Sequence, residues 1–436
     1  MMEIKVSVIL PSLNVKDYIE EAVRSVMGQT LKEIEILCID AGSEDGTWEM
    51  LSRLAGVDER IILRHSDVKS YGYQVNMGIS MARGKYIAIL ETDDYADSRM
   101  YERLYQEAVS ADCDYVKSDY FLCRTQAGGS RTFFRRYTFQ TDDLYGKVIE
   151  PAKYPTVAVG DWYLWTGIYK KKFLTDNHIQ LSETPGAAYQ DIGFIVQTNM
   201  MTKKALYVKE AYYRYRVDRE GASANSGRGL EYAYQEFFQL YERLKDKRDQ
   251  AVFCAFYCRM AKSFIYCCEG MEEGHKEIDE IKWTVYYEWF QHQLKAALDH
   301  GLVERTLFRP EVWEKLEDLL VSEAYYLEKC RAHKKKITDI IGEPGEYMVI
   351  IFGSGHYGYE ACKWLKKQEY HVAYFIDNNR ELWGTEINDT AVVSPQEIKT
   401  KAGAKKYLVA NEMHSAVMKQ QLQSMGVPEN DICIYV

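Results

Sequence analysis

The sequence predicts an α/β fold in three parts: a front unit on a mostly parallel sheet, a helical middle and a small α/β end. Three observations predict it. Over residues 4–121 short apolar runs alternate with apolar residues at helical spacing. From Glu231 to Lys336 the apolar stripes keep helical spacing, and Pro310 is the one proline that interrupts them. From Tyr347 onward, strand and helix signals alternate again. At roughly 150 residues per domain, a chain of 436 residues also suggests about three domains. The expected parts are residues 1–228, 229–341 and 342–436.

Taken in order, Ile4–Leu10 reads as a buried strand that Pro11 ends. Ile19, Ala22, Val23, Val26 and Met27 form one helical face, stopped at Gly28. Ile34–Ile39 is the next strand. The turn-rich run Asp40-Ala41-Gly42-Ser43-Glu44-Asp45-Gly46 leads into a helix over Thr47–Leu54. Arg60–Arg64 reads as a strand, Ser70–Ala82 as a helix and Tyr86–Leu90 as a strand ending at Glu91-Thr92-Asp93-Asp94. Tyr101, Leu104, Tyr105 and Ala108 mark a helix, and Tyr115–Phe121 a strand. Repeated β-α-β units imply a parallel sheet covered on both faces, with ligands beyond the carboxyl ends of its strands. Asp40 and Asp93 both follow strand ends, so they are expected to face one crevice. Residues 122–228 are mixed and aromatic-rich. After the helical middle, Gly342-Glu343-Pro344-Gly345 reads as a linker. Strands are then expected at Tyr347–Phe352, His371–Ile376, Lys406–Ala410 and Ile432–Val436, with a helix through Leu365.

Composition narrows the function classes. With 55 Lys and Arg against 65 Asp and Glu, the formal charge is −10, which argues against a protein that grips nucleic acid by bulk electrostatics. The chain is 47% apolar and 28% charged, as a folded globular protein is. No run of about 18 apolar residues occurs, so no membrane span is expected. The first residues lack the apolar core of a secretory signal. A cytoplasmic location follows, with at most peripheral contact at the inner face of the membrane. The ten cysteines are unevenly spaced without a C-x-x-C motif, the pattern of reduced, buried thiols. Lys334-Lys335-Lys336 reads as a solvated helix end.

Glu91-Thr92-Asp93-Asp94 places three carboxylates within four residues at a strand end. Such hard oxygen donors suit Mg2+ or Mn2+, and equally an acidic turn that caps the next helix. The surrounding segments decide between the two. They are Val6-Ser7-Val8-Ile9-Leu10-Pro11-Ser12-Leu13-Asn14, then Ile39 to Thr47, Tyr71-Gly72-Tyr73-Gln74-Val75-Asn76-Met77-Gly78, Ala82-Arg83-Gly84-Lys85-Tyr86-Ile87, and Glu91 to Asp94. In this order and spacing they resemble the family-2 glycosyltransferases of GT-A fold, tightly over residues 4–125 and more sparsely to residue 225.

That resemblance implies an enzyme that moves a sugar from a nucleotide-sugar, usually UDP-linked, to an acceptor hydroxyl with inversion. It places Pro11, Ser12 and Asp40 at the base and ribose, and Asn76 and Asp93 in the same donor-binding set. Asp93 and Asp94 match the acidic motif that carries Mn2+ or Mg2+, with Glu91 in place of its first acid. Ala41 departs from the family, which often has a second acid there. Glu183 to Phe194 resembles the segment whose acid deprotonates the acceptor, and Asp191 matches that acid; read alone, Asp191 is also a helix N-cap. An alcohol is a poor nucleophile, so a carboxylate must take its proton as the new bond forms. Arg216, followed by the Gly221-Ala222-Ser223 loop, is placed to pair with phosphate, and Trp165 to stack on a sugar; Trp162, Trp165 and Tyr189 serve equally as core aromatics. The expected partners are a nucleotide-sugar donor and a glycan or lipid-linked acceptor.

At the carboxy-terminal end, Gly353, Gly355 and Gly358 form a G-x-G-x-x-G pattern after a strand and at the start of a helix, and Asp377 ends the next strand. That is the context of a nucleotide site, and the stretch resembles small Rossmann-like domains of sugar-modifying proteins; a structural docking role stands beside it. Two other classes remain to be separated. One is a nucleotide-binding regulatory protein with an inactive transferase domain. The other is an oxidoreductase or epimerase resting on Gly353-Ser354-Gly355, which would leave the front 220 residues unexplained.

Overall fold

The computed structural model describes residues 3–125, 129–139, 141–217, 227–245, 249–269, 277–399, 404–411 and 414–435. These fall into two compact units, Met1–Arg124 with Phe133–Glu323, and Thr125–Thr132 with Ala324–Val436. In chain order the first unit runs β1 (Val6–Ser12), α1 (Lys16–Met27), β2 (Ile34–Asp40), α2 (Thr47–Ala55), β3 (Ile61–His65), α3 (Tyr71–Met81), β4 (Tyr86–Ile89), β5 (Tyr95–Ala96), α4 (Met100–Ser110) and β6 (Tyr115–Thr125). It continues with β7 (Arg131–Arg136, whose first two residues, like the last of β6, are grouped with the second unit), β8 (Val148–Ile149), α5 (Pro155–Gly160), β9 (Gly167–Lys170), α6 (Lys171–Asp176), α7 (Gln190–Met201) and β10 (Ala205–Arg216). Helices α8 (Gly229–Leu244), α9 (Gln250–Cys268), α10 (Glu280–Asp299) and α11 (Pro310–Val321) complete it.

The sheet order is β3-β2-β1-β4-β9-β6-β10-β5, with β7 beside β6 and β8 beside β10. Strands β1, β2, β3 and β4 run parallel. Every residue of β1 and β2 is buried, which is why both read as mainly apolar runs rather than as alternation; the polar Ser7 and Glu35 inside them bond each other at 2.6 Å. Helix α1 covers them with Ile19, Ala22, Val23 and Val26. Strand β1 does not end at Pro11; it continues to Ser12, paired with Asp40. Pairing with β4 stops at Ile9–Ile89, so the missing N–H of Pro11 costs no ladder bond on that side. The carboxyl ends of β1, β2 and β4 thus open together on one edge of the sheet.

Helices α8 to α11 belong to the same compact unit as the sheet, not to a separate middle part. The reason is α9, which packs against α5, α7, α8, α10 and α11. By length and mean hydropathy of 1.3, α9 could cross a membrane, yet 72% of that stretch is buried inside the unit. It is a core helix here.

The second unit contains α12 (Glu323–Ile341, all but its first residue), β11 (Met348–Phe352), α13 (His356–Lys367), β12 (Val372–Ile376), β13 (Val392–Val393), β14 (Lys405–Val409), α14 (Ser415–Ser424) and β15 (Ile432–Ile434). Its sheet is parallel, in the order β13-β12-β11-β14-β15. The turn at Gly342 to Gly345 joins α12 to β11 inside this unit, so it is not the unit boundary. Lys334 to Lys336 lie within α12, which runs on to Ile341 instead of ending there. None of the ten cysteines forms a disulfide.

Candidate active site

The open edge of the front sheet carries the predicted donor residues. Asp40, fully buried at the end of β2, accepts hydrogen bonds from the Gly42 and Ser43 amides at 3.0 and 2.9 Å. The Ser43 and Ser12 hydroxyls donate to its other oxygen at 2.5 and 3.3 Å. Ser12 and Asp40 therefore meet across the β1–β2 pair. Gln74 of α3 locks this corner, its Nε2 donating to the carbonyls of Ser12 and Ile39 at 2.9 and 2.6 Å. Thr92 donates to the Pro11 carbonyl at 2.9 Å and draws the acidic turn over the end of β1.

Within that turn the three acids have different tasks. Glu91 and Asp93 are part-exposed, and Glu91 accepts from the Tyr71 hydroxyl at 2.5 Å. Asp94 is fully buried, taking the Tyr213 hydroxyl on one oxygen at 2.9 Å and the Arg216 amide on the other at 2.7 Å. Burial, with Asp93 adding its charge, drives the Asp94 carboxyl well above the usual carboxylate range. Asp94 thus departs from the expected cation ligand: both oxygens tie the acidic turn to β10. Among the described residues no cluster of three His, Cys, Asp or Glu could hold a metal by protein ligands alone. The oxygen set of Asp93, beside Glu91, fits a hard cation that keeps several waters and shares a diphosphate.

Arg216 also departs from expectation. It is buried, its Nε donates to the Asp93 carbonyl at 2.8 Å, and its fork pairs with Glu21 of α1 at 3.0 Å. Its guanidinium clamps the acidic turn to α1 rather than standing free for phosphate. The Gly221-Ala222-Ser223 loop lies outside the described residues. Trp165 resolves to core: it is buried, stacked on Tyr213 at 4.1 Å and on Tyr163 at 4.5 Å, both with interplanar angles of 19°. Asn76 faces a neighbouring loop, bonding Leu181 through both its amide groups, at 2.9 and 3.0 Å, and Glu183 at 3.0 Å.

That loop leads to Asp191 in the first turn of α7. It docks beside α3: the Tyr71 amide donates to the Gly186 carbonyl at 2.8 Å, and the Gly186 amide to the Lys69 carbonyl at 2.9 Å. Gln190 laces the loop by donating to Thr184 and Gly186. Tyr71 therefore touches both halves, the Asp191 loop through its backbone and the acidic turn through its phenol. A side chain at Gly72 would meet the Ser182 carbonyl at 1.9 Å, so only glycine lets α3 and this loop approach. Gly72→Ala should cost about 2–3 kcal/mol of stability, read as a lowered thermal unfolding midpoint.

Burial raises the Asp191 carboxyl, while Arg259 and Lys117 pull it back down. One residue near it, Glu236, escaped sequence reasoning because it lies on the helices after the sheet. Glu236 of α8 is buried, accepts a short bond from the Ser182 hydroxyl and sits against Gly193 of α7. Burial lifts its carboxyl to about 7. A carboxyl raised in the fold stabilises below its unfolded value near 4.5 and loses that contribution as pH rises through about 7. The loss amounts to about 3 kcal/mol. Glu236→Gln should flatten the fall in stability between pH 5 and 8, measured by urea unfolding at both.

In the second unit, Gly353 to Gly355 form the loop from β11 into α13, and Gly358 lies in the first turn of that helix, where a side chain would meet the Gly353 carbonyl at 2.0 Å. Asp377 follows β12. One oxygen accepts the Ser354 amide and hydroxyl at 2.8 and 2.6 Å and the other the Asn379 amide at 2.8 Å, so this carboxylate braces the glycine loop.

The model for glycosyl transferase family 2 matches residues 7–212. The matched residues make up just under half of the chain. The chain is 27% identical over 220 residues to glycosyltransferase GlyG of Streptococcus pneumoniae serotype 4, covering 48% of this chain and 70% of that protein. It is 25% identical over 288 residues to a GalNAc(5)-diNAcBac-PP-undecaprenol beta-1,3-glucosyltransferase of Campylobacter jejuni, covering 62% and 86%. Two further relatives are matched over 60% and 32% of their own length. Staphylococcus aureus TarS 1–349 superposes with a TM-score of 0.55 at 16% identity, over 76% of this chain and 92% of that one, a likeness of fold. The glycosyltransferase domain thus has the GT-A fold. A second model, C2185-like N-terminal, matches residues 345–433.

Proposed function

We propose that the chain transfers a hexose-type sugar, with inversion, from a UDP-sugar to a hydroxyl of a glycan or lipid-linked acceptor in surface polysaccharide or glycoconjugate synthesis. One observation carries the reading: Tyr71 joins the Asp191 loop through its amide to the acidic turn through its phenol, which supports a shared site for base and donor residues. Asp40 and Ser12 at the ends of β1 and β2 would seat the nucleoside. Asp93 would hold Mn2+ or Mg2+, which when bound neutralises charge on the leaving diphosphate. Asp191, across the crevice, takes the proton of the acceptor hydroxyl. A carboxylate raised by burial is the stronger base for that task. TarS has been crystallised with UDP-GlcNAc, which supports a UDP-linked donor, and the Campylobacter relative's undecaprenol-linked substrate supports a lipid-linked acceptor. The test is the anomeric configuration of the first-formed product by proton NMR. Inversion is expected; retention would overturn the single-displacement reading.

A further inference from the structure

Past the acidic turn the first unit holds a cavity of about 740 Å³. It lies against β10, with walls from β6, β7 and the start of α4. Five cations line it: Arg99, Arg103, Arg135, Lys209 and Arg214. Two acids of the lining, Asp97 and Glu210, oppose them, which leaves a formal charge of +3 on a chain of −10. A cleft lined by one sign of charge draws ions of the other. The arginine forks are only partly spent within the protein. Asp97 serves two of them, Arg99 at 3.2 Å and Arg214 at 3.7 Å. Glu107 stands 3.8 Å from Arg103, and Asp119 3.6 Å from Arg135, both beyond hydrogen-bond length. The hydrogen bonds of these arginines go to neutral groups: Gln106 and Tyr212 for Arg103, the Lys209 carbonyl for Arg135, and the Ala211 and Tyr213 carbonyls for Arg214. Lys209 is matched closely, by Asp142 at 2.7 and 2.5 Å. Arg214 also lies 4.4 Å over the Phe121 ring, which fixes its plane in the cavity wall. Long, exposed ion pairs contribute only about 0–1 kcal/mol, so a stronger anion displaces them readily.

We propose that this cavity binds a phosphate-bearing part of the acceptor, an anionic group set apart from the hydroxyl that receives the sugar. Several planar forks around one cavity suit phosphate, whose oxygens they meet in pairs. Its place in the chain ties the cavity to the site. Asp97 follows Asp94 by three residues, which span at most about 11 Å. Arg214 shares β10 with Arg216, the clamp on the acidic turn. In the glycosyl-transfer reading the donor's diphosphate is met by the cation at Asp93, so the arginine cavity is left for the other substrate. The word acceptor rests on that reading; the anion site does not.

The test is calorimetry of the full chain with inorganic pyrophosphate in the presence of a chelator, which removes the cation's part in binding. The wild type should bind, and more weakly as salt is raised. Arg103→Gln combined with Arg135→Gln should lower the affinity about tenfold or more, while Asp93→Asn should leave it within about twofold. These two arginine side chains are 45% and 36% exposed, so the double variant should fold. Arg99→Gln, at a side chain 66% exposed, serves if it does not. Competition then names the source. Displacement by a short prenyl diphosphate assigns a lipid-linked acceptor, and displacement by a glycerol phosphate oligomer a phosphate-bearing glycan; either supports the proposal. Displacement by neither would overturn the assignment to the acceptor. No binding by the wild type, or binding that the arginine variants leave unchanged, would overturn the site itself. Arginine-dependent binding to phosphatidylglycerol vesicles in place of pyrophosphate would overturn it too, by giving the cations to a membrane surface. No arm needs donor or turnover, so failure of the glycosyl-transfer reading shows separately, in UDP release.

Discussion

Asp191→Asn should lower sugar transfer by about 100-fold to 10,000-fold while leaving donor affinity within a few-fold of wild type. Asn keeps the shape of the side chain and its place in the first turn of α7, but it cannot take a proton at any working pH. The donor residues Ser12 and Asp40 sit on β1 and β2 and are held by hydrogen bonds from Gln74 and the Ser43 turn, not from α7. Initial rates give the first arm and calorimetry with UDP the second. Loss of both together would mean that Asp191 is structural. Full activity would mean that another group takes the proton.

The second large effect separates two adjacent acids. Asp93→Asn should abolish metal-stimulated turnover and leave thermal unfolding nearly unchanged, because this side chain is part-exposed. Asp94→Ala should do the reverse first. It strands the Tyr213 hydroxyl and the Arg216 amide in a buried layer, and each unsatisfied donor costs about 1–3 kcal/mol. The expected destabilisation is about 2–5 kcal/mol. The thermal midpoint measured by calorimetry should fall clearly in Asp94→Ala and little in Asp93→Asn. Equal midpoints with equal loss of activity would restore Asp94 to the cation.

How much of this was visible in the sequence depends on how local each feature is. Strand runs such as Ile34–Asp40 and helix faces such as that of α1 follow from apolar periodicity, because burial on one or both faces dictates it. The acidic turn and Asp191 were legible as motif positions. What each acid does was not, since Asp94 is distinguished from Asp93 only by Tyr213 and Arg216, more than a hundred residues further on. Arg216 and Trp165 carry the chemistry of ligand-binding residues, but tertiary contacts from Glu21, Tyr163 and Tyr213 claim them first. Arg259 left one trace, a cation between Cys258 and Met260 in a mostly apolar stretch that also holds Lys262. Nothing local told whether it faced water or the core. The helices after the sheet looked like a separate part because their spacing is regular; α9 joins them to the site through long-range packing that periodicity does not encode.

The most direct test of the account is UDP release by the full chain from UDP-N-acetylglucosamine, UDP-glucose and UDP-galactose, with Mn2+ and with a chelator. The account predicts release from at least one donor that Mn2+ stimulates, that the chelator suppresses and that Asp93→Asn abolishes. Release that is equal with Mn2+ and with chelator, or absent with every donor, would contradict it.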